Sequence, residues 1–312
     1  MRSYGDGHCD TIVRIYEKGQ ELFCNDGHID IQRLKNFQAP LQFFAIWLEP
    51  RYYPIAMHQT MKYIEFFYSQ IEKNPDYIGH ICCYQDVQEN IKNNKISALL
   101  SIEGGEALEG EISAIHTYHR LGVRSMSLTW NHRNQLADGV AEKDSKRGLT
   151  KFGTDVVKEM EELGMIVDVS HLSEPGFWDV YNLARKPFIA SHSNAREICD
   201  VPRNLTDNQL RAIAEKGGII GLNLYPPFLT SKKEVKVEDV FRHIDHILSI
   251  AGEDFIALGT DFDGIDCCPE EILDVKDMEH ILSRIEREFG EQVVEKISSK
   301  NLLRVVKEVL CF

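Results

Sequence analysis

The sequence predicts a single (β/α)8 barrel of the TIM type, an α/β fold with extra helices at its C-terminal end, on three observations. Eight apolar, strand-like runs are spread along the chain and are separated mostly by segments of helical length. No composition break or Gly/Ser linker divides the 312 residues, a length such barrels commonly reach, so residues 1–312 are read as one domain. Side chains able to bind metal or move protons recur just after these runs, at the carboxyl edge where barrels place their active sites.

The clearest unit is residues 165–193. An apolar run (165–169) ends in Ser170-His171, a helix-length segment follows, and a second run (187–190) ends in Ser191-His192. Short apolar runs of this kind suit parallel strands covered on both faces. Ser173 and Glu174 supply a helix start between them and Pro187 a stop. Two imidazoles at the same point of successive strands would lie side by side, an arrangement that suggests a metal. Either histidine alone is as often a satisfied strand-end residue, and the repetition at one structural phase favours the ligand reading.

The remaining elements follow in order. The first strand lies in residues 4–11, where His8 and Asp10, two apart, would share a face while Cys9 points away. The second spans 41–48 and precedes a helix over 54–71; His58 and His80 are read as solvated, without chemistry. The third, 96–102, runs directly into Glu103-Gly104-Gly105-Glu106. A carboxylate after a buried run needs a partner, so Glu103 is a ligand candidate, and the two glycines would allow close approach of backbone or substrate.

The fourth strand, 123–130, runs into Asn131-His132-Arg133-Asn134 and places His132 near the shared mouth. A loop over 138–148, with the character of a lid, precedes a helix over 150–163. After His192, Arg203 stands in a loop before a helix over 206–216 and is a candidate clamp for a carboxylate. The seventh strand is 217–225. The eighth, 255–259, leads into Asp261 and Asp263, of which Asp261, nearer the strand, is the better catalytic candidate. Residues 269–312 read as amphipathic packing helices, and His243, His246 and His280 as surface residues.

Composition excludes some functions. A net charge of -14 without a Lys/Arg-rich run would repel phosphate backbones, so no nucleic-acid partner is expected. No basic segment followed by an apolar stretch opens the chain and no run of 18 apolar residues could span a bilayer, so a cytoplasmic protein without a membrane partner is expected. The eight cysteines contain no CxxC and read as free, mostly buried thiols.

The ordered set DGHCDT, SIEGG, VDVSH, SHS followed by RN, and GTDFDG resembles the membrane dipeptidase (renal dipeptidase) family of the amidohydrolase superfamily, over nearly the whole chain. The resemblance implies two zinc ions per chain, one held by His8, Asp10 and Glu103, the other by His171, His192 and Glu103. It implies a dipeptide substrate, with L-Xaa-D-Xaa dipeptides included, cleaved by a metal-bridged hydroxide. It makes Asp261 the group that handles the proton and Arg203 the grip on the substrate's terminal carboxylate. Family members are often dimers, so a homodimer is implied, although no segment marks an interface. Mammalian members have a substrate-binding histidine where Trp130 stands here, which leaves His132, two residues later, as the candidate for that role. Two rivals remain: another hydrolase of the superfamily acting on a cyclic amide, lactone or phosphoester, and an inactive metal-binding barrel. Many hydrolases of the first kind bridge their metals with a carboxylated lysine on strand 4, and Glu103 on strand 3 favours the dipeptidase.

Overall fold

A computed structural model describes residues 2–142 and 145–310. Lys143 and Asp144, inside the loop expected over 138–148, and the last two residues of the expected C-terminal helices lie outside the described residues.

Nine parallel strands are present among the described residues: β1 (Ser3–Cys9), β2 (Gln38–Trp47), β3 (Ile78–His80), β4 (Ile96–Glu103), β5 (Val123–Ser127), β6 (Ile166–Asp168), β7 (Ile189–Ala190), β8 (Ile219–Leu222) and β9 (Ile256–Leu258). Eight run in the order β2-β1-β9-β8-β7-β6-β5-β4, and pairing of β2 with β4, from Leu41 opposite Ser97 to Trp47 opposite Glu103, closes the ring. The chain is therefore a (β/α)8 barrel. The ninth strand, β3, was not expected. It pairs with the first residues of β4, Ile78 opposite Ile96 through His80 opposite Ala98, ahead of the point where β5 joins. Three residues are too few to show alternation, so no periodic signal marked it.

The barrel interior and its floor form one apolar cluster. Leu41, Phe43, Leu99, Ile166, Ile189 and Ile219 pack with Leu302, Val305, Val306 and Val309 of the helix Asn301–Val309. Each such side chain contributes roughly 1.5–3 kcal/mol by leaving water. The Asn301 side-chain amide donates to the carbonyls of Glu253 (2.8 Å) and Ile256 (2.7 Å), which ties this helix to the start of β9. The C-terminal extension thus closes the amino end of the barrel and leaves the carboxyl end open. Higher in the barrel, Gly7, Gly221 and Gly259 all face the Ser191 carbonyl, and a Cβ at Gly221 or Gly259 would overlap that oxygen. These glycines let β1, β8 and β9 close in on the chain just after β7, directly under the histidines.

The helix starts fall where capping residues stand. Thr150 accepts from the Gly153 N–H at the head of Lys151–Leu163, Ser173 from Gly176 at Glu174–Leu183, and Thr206 from Gln209 at Asp207–Glu215. No helix among the described residues is long and apolar enough to cross a membrane.

Three histidines read as exposed are not: His80, His243, and His246, whose Nε2 lies 2.7 Å from Asp207 Oδ1. His80, on β3, is largely covered, its Nε2 is 3.1 Å from the Gly122 carbonyl, and burial lowers its pKa to about 4. His243 is fully buried on the core face of Val237–Ala251, among Val240, Ile244 and Ile247. Its Nδ1 accepts from the Ala195 N–H (3.1 Å) and its Nε2–H donates to the Leu229 carbonyl (2.9 Å), joining the loops after β7 and β8. A polar residue on an apolar helix face carries no sign of burial in the sequence. The cysteines also differ from expectation. Of the seven described, all free, only Cys9 and Cys199 are buried, because the others lie in loops or at element ends.

Burial lowers the His243 pKa to about 4, so the unfolded chain binds more protons than the native protein between the ordinary histidine value and about 4. The stability this histidine provides is therefore complete above about pH 6.5 and is lost as pH falls toward 4. The expected cost is on the order of 3 kcal/mol, at ~1.4 kcal/mol per pKa unit. Urea unfolding at pH 7 and pH 4.5 should show a smaller pH-dependent loss in His243→Gln than in the wild type; equal losses would contradict this reading.

Candidate metal centre

The carboxyl rim gathers the residues selected from sequence. β1 delivers His8, and Asp10 follows one residue beyond the strand as the cap of the helix Thr11–Lys18. His8 Nε2 is 3.3 Å from Asp10 Oδ2, so the pair meets through the bend at the strand end and not through two strand positions. Cys9 between them is buried in the core. Glu103 is the last residue of β4, in register with Trp47 on one side and Ser127 on the other. β6 and β7 are very short, and His171 and His192 follow them by three and two residues.

Glu103 joins the two halves of the cluster. Its Oε2 lies 3.5 Å from His8 Nε2, and its Oε1 lies 3.0 Å from His171 Nε2 and 3.6 Å from His192 Nε2. Asp261 approaches from the other side, with Oδ1 3.9 Å from His8 Nε2. His8, Asp10, Glu103, His171 and His192 are all buried.

The hydrogen bonds around the two later histidines decide where their protons sit. His171 Nδ1 is 2.8 Å from Asn131 Oδ1, an acceptor, so this nitrogen carries the proton. The Ser191 hydroxyl donates to Asp168 Oδ2 (2.5 Å) and can therefore only accept from His192 Nδ1 (2.7 Å), which also carries its proton. Both Nε2 atoms are left with lone pairs, 3.0 Å apart, facing Glu103 Oε1. Burial lowers the His171 pKa to about 4 and that of His192 well below the ordinary range, which keeps both rings neutral. Two nitrogen lone pairs and a carboxylate oxygen repel one another unless a cation lies between them.

The other half makes the same demand. His8 Nε2 and Asp10 Oδ1 are buried without a hydrogen-bond partner. Burial acts most strongly on His8 and pulls its pKa down, yet Glu103 and Asp10 outweigh it and leave the imidazole well above its usual value. Glu103 is likewise raised by burial and pulled well below the carboxylate range by the three imidazoles. The centre calls for positive charge, and imidazole nitrogens with carboxylate oxygens are a donor set that suits zinc.

Among the described residues, three groups of side chains bring their ligand atoms within 4.8 Å of one another: Glu103 with His171 and His192, His8 with Asp10 and Asp261, and His8 with Asp168 and His192. The third is already spent. Asp168 accepts from the backbone N–H groups of Ser170 and Ser191 (both 2.9 Å) and the hydroxyls of Ser127 and Ser191 (both 2.5 Å). Asp6 repeats the device at β1, accepting from His8 N–H, Thr260 N–H, the Thr260 hydroxyl and the Tyr4 hydroxyl. Each of these carboxylates therefore binds a strand end to its neighbour. Neither was selected from sequence, although Asp168 sits inside a buried run and meets the criterion that selected Glu103.

Asp261 and His171 both adopt left-handed backbone, with φ of 62° and 65°, a conformation L-residues seldom hold. Asp261 Oδ2 accepts from the Asn223 amide (2.9 Å). Burial, reinforced by Asp10 and Glu103, lifts the Asp261 pKa to about 7 against the opposing pull of His8 and Asn223. Asp263 is turned away from this chemistry, accepting from the Thr11 hydroxyl (2.6 Å) and the His28 N–H (2.7 Å).

A cavity of about 570 Å³ opens above the cluster, walled by Trp47, Trp130, Tyr225 and Phe228. Arg203 is buried beside it. Its Nη1 donates to Ser193 (2.7 Å), its Nη2 to the His192 carbonyl (2.8 Å), its Nε has no partner, and its Cζ lies 5.7 Å from the Phe228 ring centre. The structure does not bring His132 to this site. Its side chain is 64% exposed, with Nδ1 3.6 Å from Glu142 Oε1, because the chain leaving β5 turns Trp130 and Asn131 toward His171 instead. Gly105 allows the close backbone approach expected of it, since a Cβ there would meet the Leu128 carbonyl at 2.9 Å and the Leu136 side chain at 2.7 Å, while Gly104 holds a φ of 99° that suits glycine.

The family model described as membrane dipeptidase (peptidase family M19) matches residues 3–311. The dipeptidase aclJ of Aspergillus oryzae is 31% identical over 97% of this chain and 77% of its own length. Among solved structures, the dipeptidase AC, a metallopeptidase, is similar with a TM-score of 0.92 and 28% identity, covering 99% of both chains. A metallopeptidase from Rhodobacter sphaeroides, liganded with a phosphinate mimic of the dipeptide L-Ala-D-Ala, is similar with a TM-score of 0.90 and 26% identity, again over 99% of both chains.

If Asp168 binds strands and not metal, Asp168→Asn should destabilise the metal-stripped protein by about 2–4 kcal/mol, since an amide N–H₂ would face donors it cannot satisfy. Chemical denaturation of the apo form checks this. Unchanged apo stability together with lost metal would instead make Asp168 a ligand.

Proposed function

The chain belongs to the membrane dipeptidase family, and from that premise we propose that it is a binuclear zinc dipeptidase that hydrolyses the peptide bond of dipeptides, L-Xaa-D-Xaa dipeptides included. The observation that carries this reading is the meeting of the His171 and His192 lone pairs on Glu103 Oε1, while Glu103 Oε2 faces His8. A carboxylate that reaches both halves of a ligand cluster suits two ions. His8, Asp10 and Glu103 would hold one and Glu103, His171 and His192 the other. When bound, the zinc ions supply Lewis acidity toward the scissile carbonyl and make water at the site a nucleophile near neutral pH. The L-Ala-D-Ala mimic bound to the Rhodobacter sphaeroides relative supports the inclusion of L,D-dipeptides.

The chain's own groups supply the rest. Asp261, held through its Oδ2 by Asn223, would take a proton from the attacking water and return it to the leaving nitrogen. Arg203 is fixed through Ser193 and the His192 carbonyl and retains an unpartnered Nε–H. Its guanidinium, which lies beside the cavity residue Phe228, is assigned to the terminal carboxylate of the substrate. Such a grip one residue from the scissile bond restricts the enzyme to dipeptides. His132, exposed and remote from the cluster, has no place in this scheme.

Metal analysis of the purified protein should find about two zinc ions per chain, the number of ligand sets proposed, and chelation should abolish cleavage of a panel of L,L- and L,D-dipeptides. Zinc without dipeptide cleavage would redirect the assignment to another hydrolase of the superfamily, and absence of metal would remove its basis. Asp261→Asn should retain metal while kcat falls about 10²-fold or more, the scale of general acid-base groups; parallel loss of metal and activity would make Asp261 a ligand. Arg203→Lys should raise KM about ten- to hundredfold with a much smaller change in kcat, and an unmoved KM would refute the clamp.

A further inference from the structure

We propose that Trp47 and Trp130 form the subsite for the side chain of the substrate's N-terminal residue, and that this wall makes the enzyme prefer dipeptides beginning with a large apolar or aromatic residue. The inference rests on the dipeptidase reading above, with Arg203 at the carboxylate.

The order of strands in the closed ring places the two ends of a dipeptide. β2 and β7 are four positions apart in a ring of eight, so they stand opposite each other, as do β4 and β8. Arg203 lies in the loop after β7, and Tyr225 and Phe228 follow β8. On the far side, Trp47 ends β2, Glu103 ends β4, and Trp130 comes three residues after β5. A substrate with its carboxylate at Arg203 and its peptide bond over the histidine-carboxylate cluster has only one residue left. The side chain of that residue must extend beyond Glu103, where the two indoles stand.

The indoles are built as a surface. Their ring centres are 5.2 Å apart at 60°, an edge-to-face pair, and the Trp130 ring is 6.3 Å from that of His171, so the wall begins where the cluster ends. Both are half-buried and line the cavity. The cavity residues contributed by the ends of β2 and β5 are Trp47, Trp130 and Asn131, all uncharged, and the Asn131 oxygen is engaged by His171. An apolar side chain placed there would leave water for two aromatic faces, whereas a carboxylate would give up its water for a single unpartnered donor on this wall, Trp47 Nε1–H. Tyr225 and Phe228, also edge-to-face at 5.0 Å, flank the opposite end, near Arg203.

The test measures kcat/KM of the zinc-loaded enzyme for Gly-D-Ala, L-Ala-D-Ala, L-Leu-D-Ala, L-Phe-D-Ala and L-Glu-D-Ala, in the wild type and in Trp47→Ala, Trp130→Ala and the two Trp→Phe variants. The wild type should favour L-Leu and L-Phe over Gly by about ten- to hundredfold, the range an apolar pocket reaches, and disfavour L-Glu. Each Ala variant should narrow the Leu-to-Gly ratio about tenfold or more while the Phe variants keep most of it. A second readout uses intrinsic fluorescence. Free L-Leu, the N-terminal product, should shift the emission of the wild type and not that of Trp47→Ala, with near-UV circular dichroism confirming that the variant is folded. A flat wild-type profile, or variants that lose all substrates in equal proportion, would overturn the subsite while leaving the dipeptidase reading intact. Failure of the wild type to cleave any dipeptide would overturn both.

Discussion

Lone-pair density drawn to a single point governs this rim. Glu103 stands at the end of a fully buried strand, and its two oxygens face three imidazoles from three other strands. Hydrogen bonds donated to Asn131 Oδ1 and to the Ser191 hydroxyl hold the His171 and His192 protons on the outer nitrogens, so the inner nitrogens can only accept. An arrangement of this kind is stable when a cation occupies it and costly otherwise. The acidity of Asp10 and Asp261 and the basicity of His8 all respond to the same unsatisfied charge.

Such a cluster requires rigid support, and two buried carboxylates provide it. The strands that carry His171 and His192 have only three and two ladder residues, so backbone pairing alone holds them weakly. Asp168 compensates by accepting hydrogen bonds from the ends of β5, β6 and β7, and Asp6 does the same between β1 and β9. Three glycines below allow the strands to approach closely enough for these bonds to form. The precision of the centre therefore depends on residues that do not ligate anything.

Closure of the ring gives the mouth its polarity. Since β2 pairs with β4, an indole from β2 is adjacent to Glu103, and the loop after β7 with its buried arginine lies across the barrel. From Phe228, which lies against Arg203, the cavity runs past the ligand cluster to the two indoles, the order in which the proposed dipeptide would present its carboxylate, peptide bond and side chain.

Much of this was legible in the chain before folding. Apolar runs that end in His, Glu or Asp mark strand ends, because hydrophobic periodicity and the cost of a buried charge are local properties; eight strands and six site residues, His8, Asp10, Glu103, His171, His192 and Asp261, emerged from that logic alone. The sequence by itself thus determined the fold class and the chemistry available at the rim. Only the tertiary structure decided the partners. It set Asn131 and not His132 against His171, gave Asp6 and Asp168 to hydrogen bonds, buried His243, and brought Trp47 beside Trp130, residues 83 positions apart in the chain. These choices follow from ring closure and loop direction, which depend on contacts between distant residues and leave no periodic trace in the sequence.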